Sequence, residues 1–155
     1  MQRVTNCVFT QDDSVLMLQK PRRNWWVAPG GKMEQGEHIA QAVFREFSEE
    51  TGLRIEGHTL SSVLTYIIKD KDNHIVNEWM MFTFKASNAT GTVLETTEEG
   101  ILSWQPIEAI KTLPMAEGDR KLIDHALHGT GILSGTLEYT EDFRLLHAEY
   151  FHTEV

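Results

Sequence analysis

Glu46, Glu49 and Glu50 stand at i, i+3 and i+4 in the stretch "FREFSEETGL", so a helix there would gather three carboxylates on one surface. Like charges at that spacing repel, more so at a partly buried edge where screening is weak. On a helical wheel with Ile39 at zero, Glu46 and Glu50 fall within about 20° of it and Glu49 about 80° away. Ile39, Ala40, Val43, Phe44 and Phe47 fill the apolar arc that Glu46 and Glu50 extend. Gln41, Arg45 and Ser48 take the polar side, where a merely solvated acidic face would lie. Arg45 is the cation that the helix itself offers nearby. A hard divalent cation accounts better for the placement. Mg²⁺ or Mn²⁺ takes oxygen ligands, and Mg²⁺ keeps waters and adds substrate phosphate oxygens.

Such a helix needs elements to aim it. Pro29, Gly30, Gly31 and Gly36 precede it, a loop able to approach other backbone closely and to offer amides to an anion. Gly52 follows it as a C′ residue. Upstream, "RVTNCVFT" and "SVLMLQK" predict two strands turning at Asp12, Asp13 and Ser14. "LRIEGHTLSSVLTYIIKD" and "HIVNEWMMFTFKAS" predict strands around a turn near "DKDN". "GILSWQPIEAI" predicts a strand and a short helix from Pro106. "AEGDRKLIDHALHG" predicts a second long helix ending at Gly129. "GTLEYTEDFRLLHAEYF" predicts a hairpin turning near "TED". Strands flank the central helix on both sides, the pattern of a mixed α+β chain.

Residues 31–53 resemble the Nudix box, G-x5-E-x7-R-E-U-x-E-E-x-G-U, in which U is a bulky apolar residue. Gly31, Glu37, Arg45, Glu46, Glu49, Glu50 and Gly52 match the specified identities, with Phe47 and Leu53 at the U positions. The resemblance implies the Nudix fold, an α/β/α sandwich with a mixed sheet between helices, as a single domain over 1–155. It also implies Mg²⁺-dependent hydrolysis, with Mn²⁺ as a possible substitute, of a nucleoside diphosphate linked to another group. By motif position Glu46, Glu49 and Glu50 are the expected catalytic metal ligands. Glu37 and Arg45 look like a brace between loop and helix, and Gly31 and Gly52 look structural. A later carboxylate often completes the family's site; Glu99 in "TTEEGILSW" is the candidate, with Glu98 as alternative.

Composition bounds the partners. The formal charge of −9 lacks the basic stripe of a nucleic-acid polymer binder, whereas a cation can mediate between an acidic protein and an anionic substrate. No apolar run approaches membrane-spanning length, and no signal-like segment opens the chain, so a cytoplasmic location is the expectation. One cysteine, Cys7, excludes an intrachain disulfide and reads as a buried apolar residue. A monomer or homodimer fits equally well.

For the substrate, the C-terminal half is similar to the oxidised purine nucleoside triphosphate hydrolases of the MutT type. In those, a carboxylate past the short helix and an asparagine before the glycines read the purine. Glu117 or Asp119 suits the first role. At the second position stands Val27, leaving Asn24 or Asn6 as substitutes. Arg22, Arg23 and Lys32 are candidates for outer phosphates. Trp25, Trp26, Trp79 and Phe82 offer stacking surface, with core packing favoured for Trp79 and Phe82. Adjacent Trp25 and Trp26 would face opposite ways in a strand, putting one of them, with Trp26 the candidate, against a base. His125 and His128 read as ordinary helix residues. The leading expectation is a nucleoside triphosphate pyrophosphohydrolase, with 8-oxo-dGTP in view. An ADP-ribose or nucleotide-sugar pyrophosphatase comes second, because such relatives commonly add an N-terminal segment and few residues precede the first strand here. A non-catalytic nucleotide-binding regulator comes third, because the box is intact.

Overall fold

The computed structural model describes residues 1–153. In chain order the elements are β1 (Gln2–Gln11), β2 (Ser14–Gln19), β3 (Trp26–Val27), β4 (Gly30–Lys32), α1 (Ile39–Thr51), β5 (Leu53–Glu56), β6 (Thr59–Lys69), β7 (Ile75–Ala86), β8 (Asn88–Gly91), β9 (Thr96–Thr97) and β10 (Gly100–Pro106). A 3₁₀ turn (Ile107–Lys111), α2 (Glu117–His128), β11 (Ile132–Thr140) and β12 (Leu145–Thr153) complete the order. The main sheet runs β12-β11-β6-β7-β1-β2-β10-β9, with β3 added to β2 and β4 added to β1. β1 runs parallel to β7 and β11 parallel to β6, while the other pairs in it are antiparallel. The sheet is therefore mixed, as expected.

Two apolar layers cover its faces. Val43 and Phe47 of α1 pack with Cys7, Phe9, Leu16, Leu18 and Phe84, whereas Leu122, Ile123 and Ala126 of α2 pack with Val8, Met17, Leu64, Tyr66 and Leu137. Strand alternation makes this possible: in β1, Cys7 and Phe9 serve one layer and Val8 the other. The result is the α/β/α sandwich.

β1 and β2 pair only beside their turn, at Thr10↔Val15 and Gln11↔Ser14. Beyond it they part. Val4, Thr5 and Asn6 of β1 take β4 as partner, while Leu18 and Gln19 of β2 take β3. That splay opens a gap in the sheet beside the Gly30–Gly31 loop.

Several expectations need correction. The predicted strand from Leu53 breaks at Gly57, whose φ of 65° turns the chain, and β5 leaves the main sheet to pair with β8. The terminal hairpin begins at Ile132, earlier than expected, and turns through Phe143 at a φ of 60°. Trp25 and Trp26 both pack against the α2-side core, because Trp25 lies outside β3 after a left-handed turn at Arg23 and Asn24. Trp79, stacked on Tyr66 at 5.1 Å, and Phe82, in the α1 layer, need no correction: both are partly buried and pack against the core, the placement expected of them.

Candidate active site

Helix α1 is fixed at both ends. His38 caps its start, with Nδ1 accepting from the Gln41 N–H at 3.1 Å. At its end Gly52 adopts a φ of 84°, and its N–H donates to the Ser48 carbonyl. Between them Arg45 ties the helix to the preceding loop. Its Nε and Nη2 donate to the two oxygens of Glu37 at 2.7 and 2.9 Å, a bidentate fork, and Nη2 also reaches the Lys32 carbonyl. The same guanidinium reaches Glu46 at 2.9 Å and Glu49 at 3.3 Å. Hydrogen bonds from Arg45 and from the Glu34 N–H hold the Glu37 carboxyl down to about 2, and the hydrogen bonds to Glu37 and Glu46 push the Arg45 guanidinium above its usual range. Arg45 thus offsets more of the glutamate repulsion than its wheel position suggested.

The three box glutamates differ in setting. Glu50 is 7% exposed and its Oε2 accepts the Gly30 N–H at 2.9 Å. Burial pushes its carboxyl up to about 7, opposed by that hydrogen bond. Glu46 is half-buried, pressed against the loop so closely that a Cβ on Gly31 would overlap its carboxylate. Glu49, with its side chain 62% exposed, lies at the rim. Glu99 approaches from the β9–β10 turn, where Lys20 Nζ meets its Oε2 at 3.1 Å.

All four carboxylates line one cleft of about 1140 Å³ at the splay of β1 and β2. Glu98, Lys20, Lys32, Val27, Asn6, Met81 and Asp119 line it too. Asp119, in the first turn of α2, accepts the Tyr66 hydroxyl at 2.7 Å, and burial raises its carboxyl to about 6. The other sequence candidates sit elsewhere. Glu117 faces a separate groove on the outer side of α2, beside Arg120 and Lys121, because Glu117 and Asp119 diverge by about 200° on a helix. Arg23 lies over the rings of Trp25 and Phe143 and donates to the Asp142 carbonyl. Arg22 is exposed, and Trp26 is half-buried against the α2-side core. Arg22, Arg23, Trp26 and Glu117 are therefore not among the cleft-lining residues. Lys20, at the end of β2, was missed; only the sheet pairing that sets β2 beside β10 reveals it.

Do these residues fit a divalent cation? The donor set is all hard oxygen, and the buried Glu50 carboxylate has a single backbone donor, so a cation would supply the missing counter-charge. Arg45 draws Glu46 and Glu49 toward itself, which spreads the box carboxylates. The tight group of Asp70, Asp72 and His74 lies instead in the β6–β7 turn. There the Asp72 and His74 N–H groups bond to Asp70 and account for it as turn structure. Among the described residues no helix is long and apolar enough to cross a membrane.

An acidic helix facing a glycine loop offers carboxylate oxygens to a divalent cation and backbone amides to an anion. A family model described as the NUDIX domain matches residues 1–126. The uncharacterised Nudix hydrolase YvcI of Bacillus subtilis is 56% identical over 146 residues, 94% of this chain and 92% of its own. The crystal structure of a MutT protein from Bacillus halodurans matches at a TM-score of 0.93 and 48% identity, over 97% of each chain. Human 8-oxo-dGDP phosphatase NUDT18 is 33% identical over 112 residues, which are 67% of this chain and 32% of that protein. The chain belongs to the Nudix hydrolase family.

Proposed function

We propose that the protein hydrolyses a nucleoside triphosphate to the monophosphate and pyrophosphate, with 8-oxo-dGTP as the leading substrate. The supporting observation is that one cleft is lined both by the box carboxylates and by Asp119, phosphate chemistry together with a group able to read a base. Glu46, Glu49, Glu50 and Glu99 hold the divalent ion in this reading. Bound Mg²⁺, or Mn²⁺ in its place, supplies charge neutralisation on the phosphate oxygens. A glutamate of the set accepts the proton of the attacking water. A new P–O bond forms as the P–O bond to pyrophosphate breaks. Lys32 and the Gly30–Gly31 loop steady the outer phosphates, and Arg45 with Glu37 keeps the helix in register with that loop. The setting is the cytoplasm, with the whole chain acting as one domain.

NUDT18 is named for a diphosphate of oxidised deoxyguanosine, which supports the same base and raises the question of phosphate number. A substrate panel with Mg²⁺ and product detection decides. Highest kcat/KM on 8-oxo-dGTP or dGTP upholds the proposal, a peak on 8-oxo-dGDP moves it to the diphosphate, and a peak on ADP-ribose or a sugar nucleotide overturns it.

A further inference from the structure

β6 buries Leu64, Tyr66 and Ile68 in the α2 layer, so Val63, Thr65 and Ile67 point out of the other face of the sheet. On β7 the same alternation turns Glu78, Met80 and Phe82 to that face. Phe151 of β12 joins them, opposite Ser134, which lies opposite Val63. Helix α1 packs on β1, β4 and β5 and meets this region at Phe82. None of these outward side chains is buried, and Phe151 is 68% exposed. A sheet that is wet on one face normally turns polar side chains to it. Val63, Ile67, Met80, Phe82 and Phe151 make this face apolar instead, which marks a contact surface.

The groups around the apolar patch say what it fits. β12 presents Phe151, Glu149 and His147 in successive rows, and strand pairing places Phe82, Met80 and Glu78 of β7 at the far ends of the same rows. Arg3 of β1 extends the middle row beyond Met80. A two-fold axis along the seam between β11 and β6 turns the face onto itself, β12 over β7 and β11 over β6. Each row then meets its own reverse. Phe151 meets the second copy's Phe82, His147 meets its Glu78, and Glu149 comes beside its Arg3. A two-fold across the strands would instead set Glu149 against Glu149 and Phe151 against His147. Arg3, Glu78, His147 and Glu149 take no part in the ion pairs of the described residues, so each remains available to such a partner. Glu138, inside the third row, is already answered by Lys69.

We propose that this sheet face is a homodimer interface, joining two copies of the chain about a two-fold that runs along the β11–β6 seam. Four strands span only about 14 Å, less than a standard interface needs, so the pairing is reversible at micromolar concentrations. The residues of this face are absent from the lining of the active-site cleft, so the pairing can be broken without touching the chemistry.

Analytical ultracentrifugation of the full chain at rising concentration should show a monomer–dimer equilibrium. Phe151→Asp should raise the dissociation constant at least about 10-fold, the scale of a lost aromatic anchor. Glu149→Arg should weaken it comparably by facing Arg3 with a like charge, and Arg3→Glu added to Glu149→Arg should bring it back toward wild type. All three positions are exposed in the single chain, so far-UV circular dichroism and hydrolysis should stay at the wild-type level. A dimer indifferent to Phe151→Asp and Glu149→Arg, or a double variant no better than Glu149→Arg, overturns the proposal. A wild type that stays monomeric throughout also overturns it and leaves the face to a different partner. A second measurement needs no variant. The ε-methyl resonance of Met80 in the wild-type protein should move on dilution while that of Met17, buried in the core, stays. A Met80 signal independent of concentration overturns the assignment.

Discussion

Glu50 combines burial with a carboxyl group that lines the cleft. Replacing it with Gln keeps a hydrogen-bond acceptor for the Gly30 N–H but removes the charge that would hold a cation. Turnover with Mg²⁺ should fall at least about 100-fold, with far-UV circular dichroism unchanged. Wild-type activity in Glu50→Gln would end the metal-ligand assignment. Asp119 supplies a pH signature. Its carboxyl rises from 3.8 to about 6 on folding because it is buried, so the folded chain holds that proton more tightly than the unfolded chain. The associated stability is present below about pH 4 and is lost as pH rises through 6. The melting temperature of wild type should therefore fall relative to that of Asp119→Asn as pH rises over that range; a constant offset between the two would contradict the raised pKa. At this scale the sequence was highly legible where residues share a helix. The wheel foresaw the burial of Glu50 and the rim position of Glu49. It could not foresee that Arg45 swings toward Glu46 and Glu49, since side-chain reach is not contained in an angle. Nor could it tell that Asn6 lines the cleft whereas Asn24 is not among the lining residues, because that follows from the pairing of β1 with the Gly30 loop.

Among the elements, α1 depends most on how it ends. Gly52 has a φ of 84°, and a Cβ there would overlap the Thr92 carbonyl. Gly52→Ala should cost about 1–3 kcal/mol of stability, read by urea denaturation. Because the strain falls one turn from Glu49 and Glu50, it should lower kcat as well. A neutral change would mean that the chain after α1 can relax at no cost. Long periodic elements such as α1, α2, β1, β2 and β7 were readable from pattern, since each buries an apolar stripe or run. The two-residue strands β3 and β9 were not. Their residues pair because β2 and β10 already lie beside them, and such borrowed order leaves no periodic trace. The break at Gly57 was obscured for a related reason. A lone glycine in an apolar run signals either a bulge or a corner, and only the partner strand β8 decides.

The whole molecule carries a formal charge of −9 and gathers several of its carboxylates in one cleft. A cation that binds there in the folded state and not in the unfolded one must stabilise the fold by mass action. Mg²⁺ at a hundredfold excess over its Kd would add about 2.7 kcal/mol, raising Tm by several degrees. The rise should vanish in Glu50→Gln, and chelation should abolish activity without unfolding the protein, because both apolar layers close without the metal. An equal Tm rise in the variant would locate the cation elsewhere, for instance at the Asp70 turn. The sandwich as a whole was legible through the box, whereas the splay of β1 and β2 was not, since pairing that stops partway along a strand has no signature in one chain. β1 itself supplies hydrophobic anchors to one layer through Cys7 and Phe9, and to the other through Val8 beside the cleft-lining Asn6. Sliding the strand by a single residue would exchange these two sets at once, emptying both cores and turning Asn6 away from the cleft. Insertions and deletions in this chain should therefore be tolerated at the Asp12–Asp13 turn and rejected within the few residues before it.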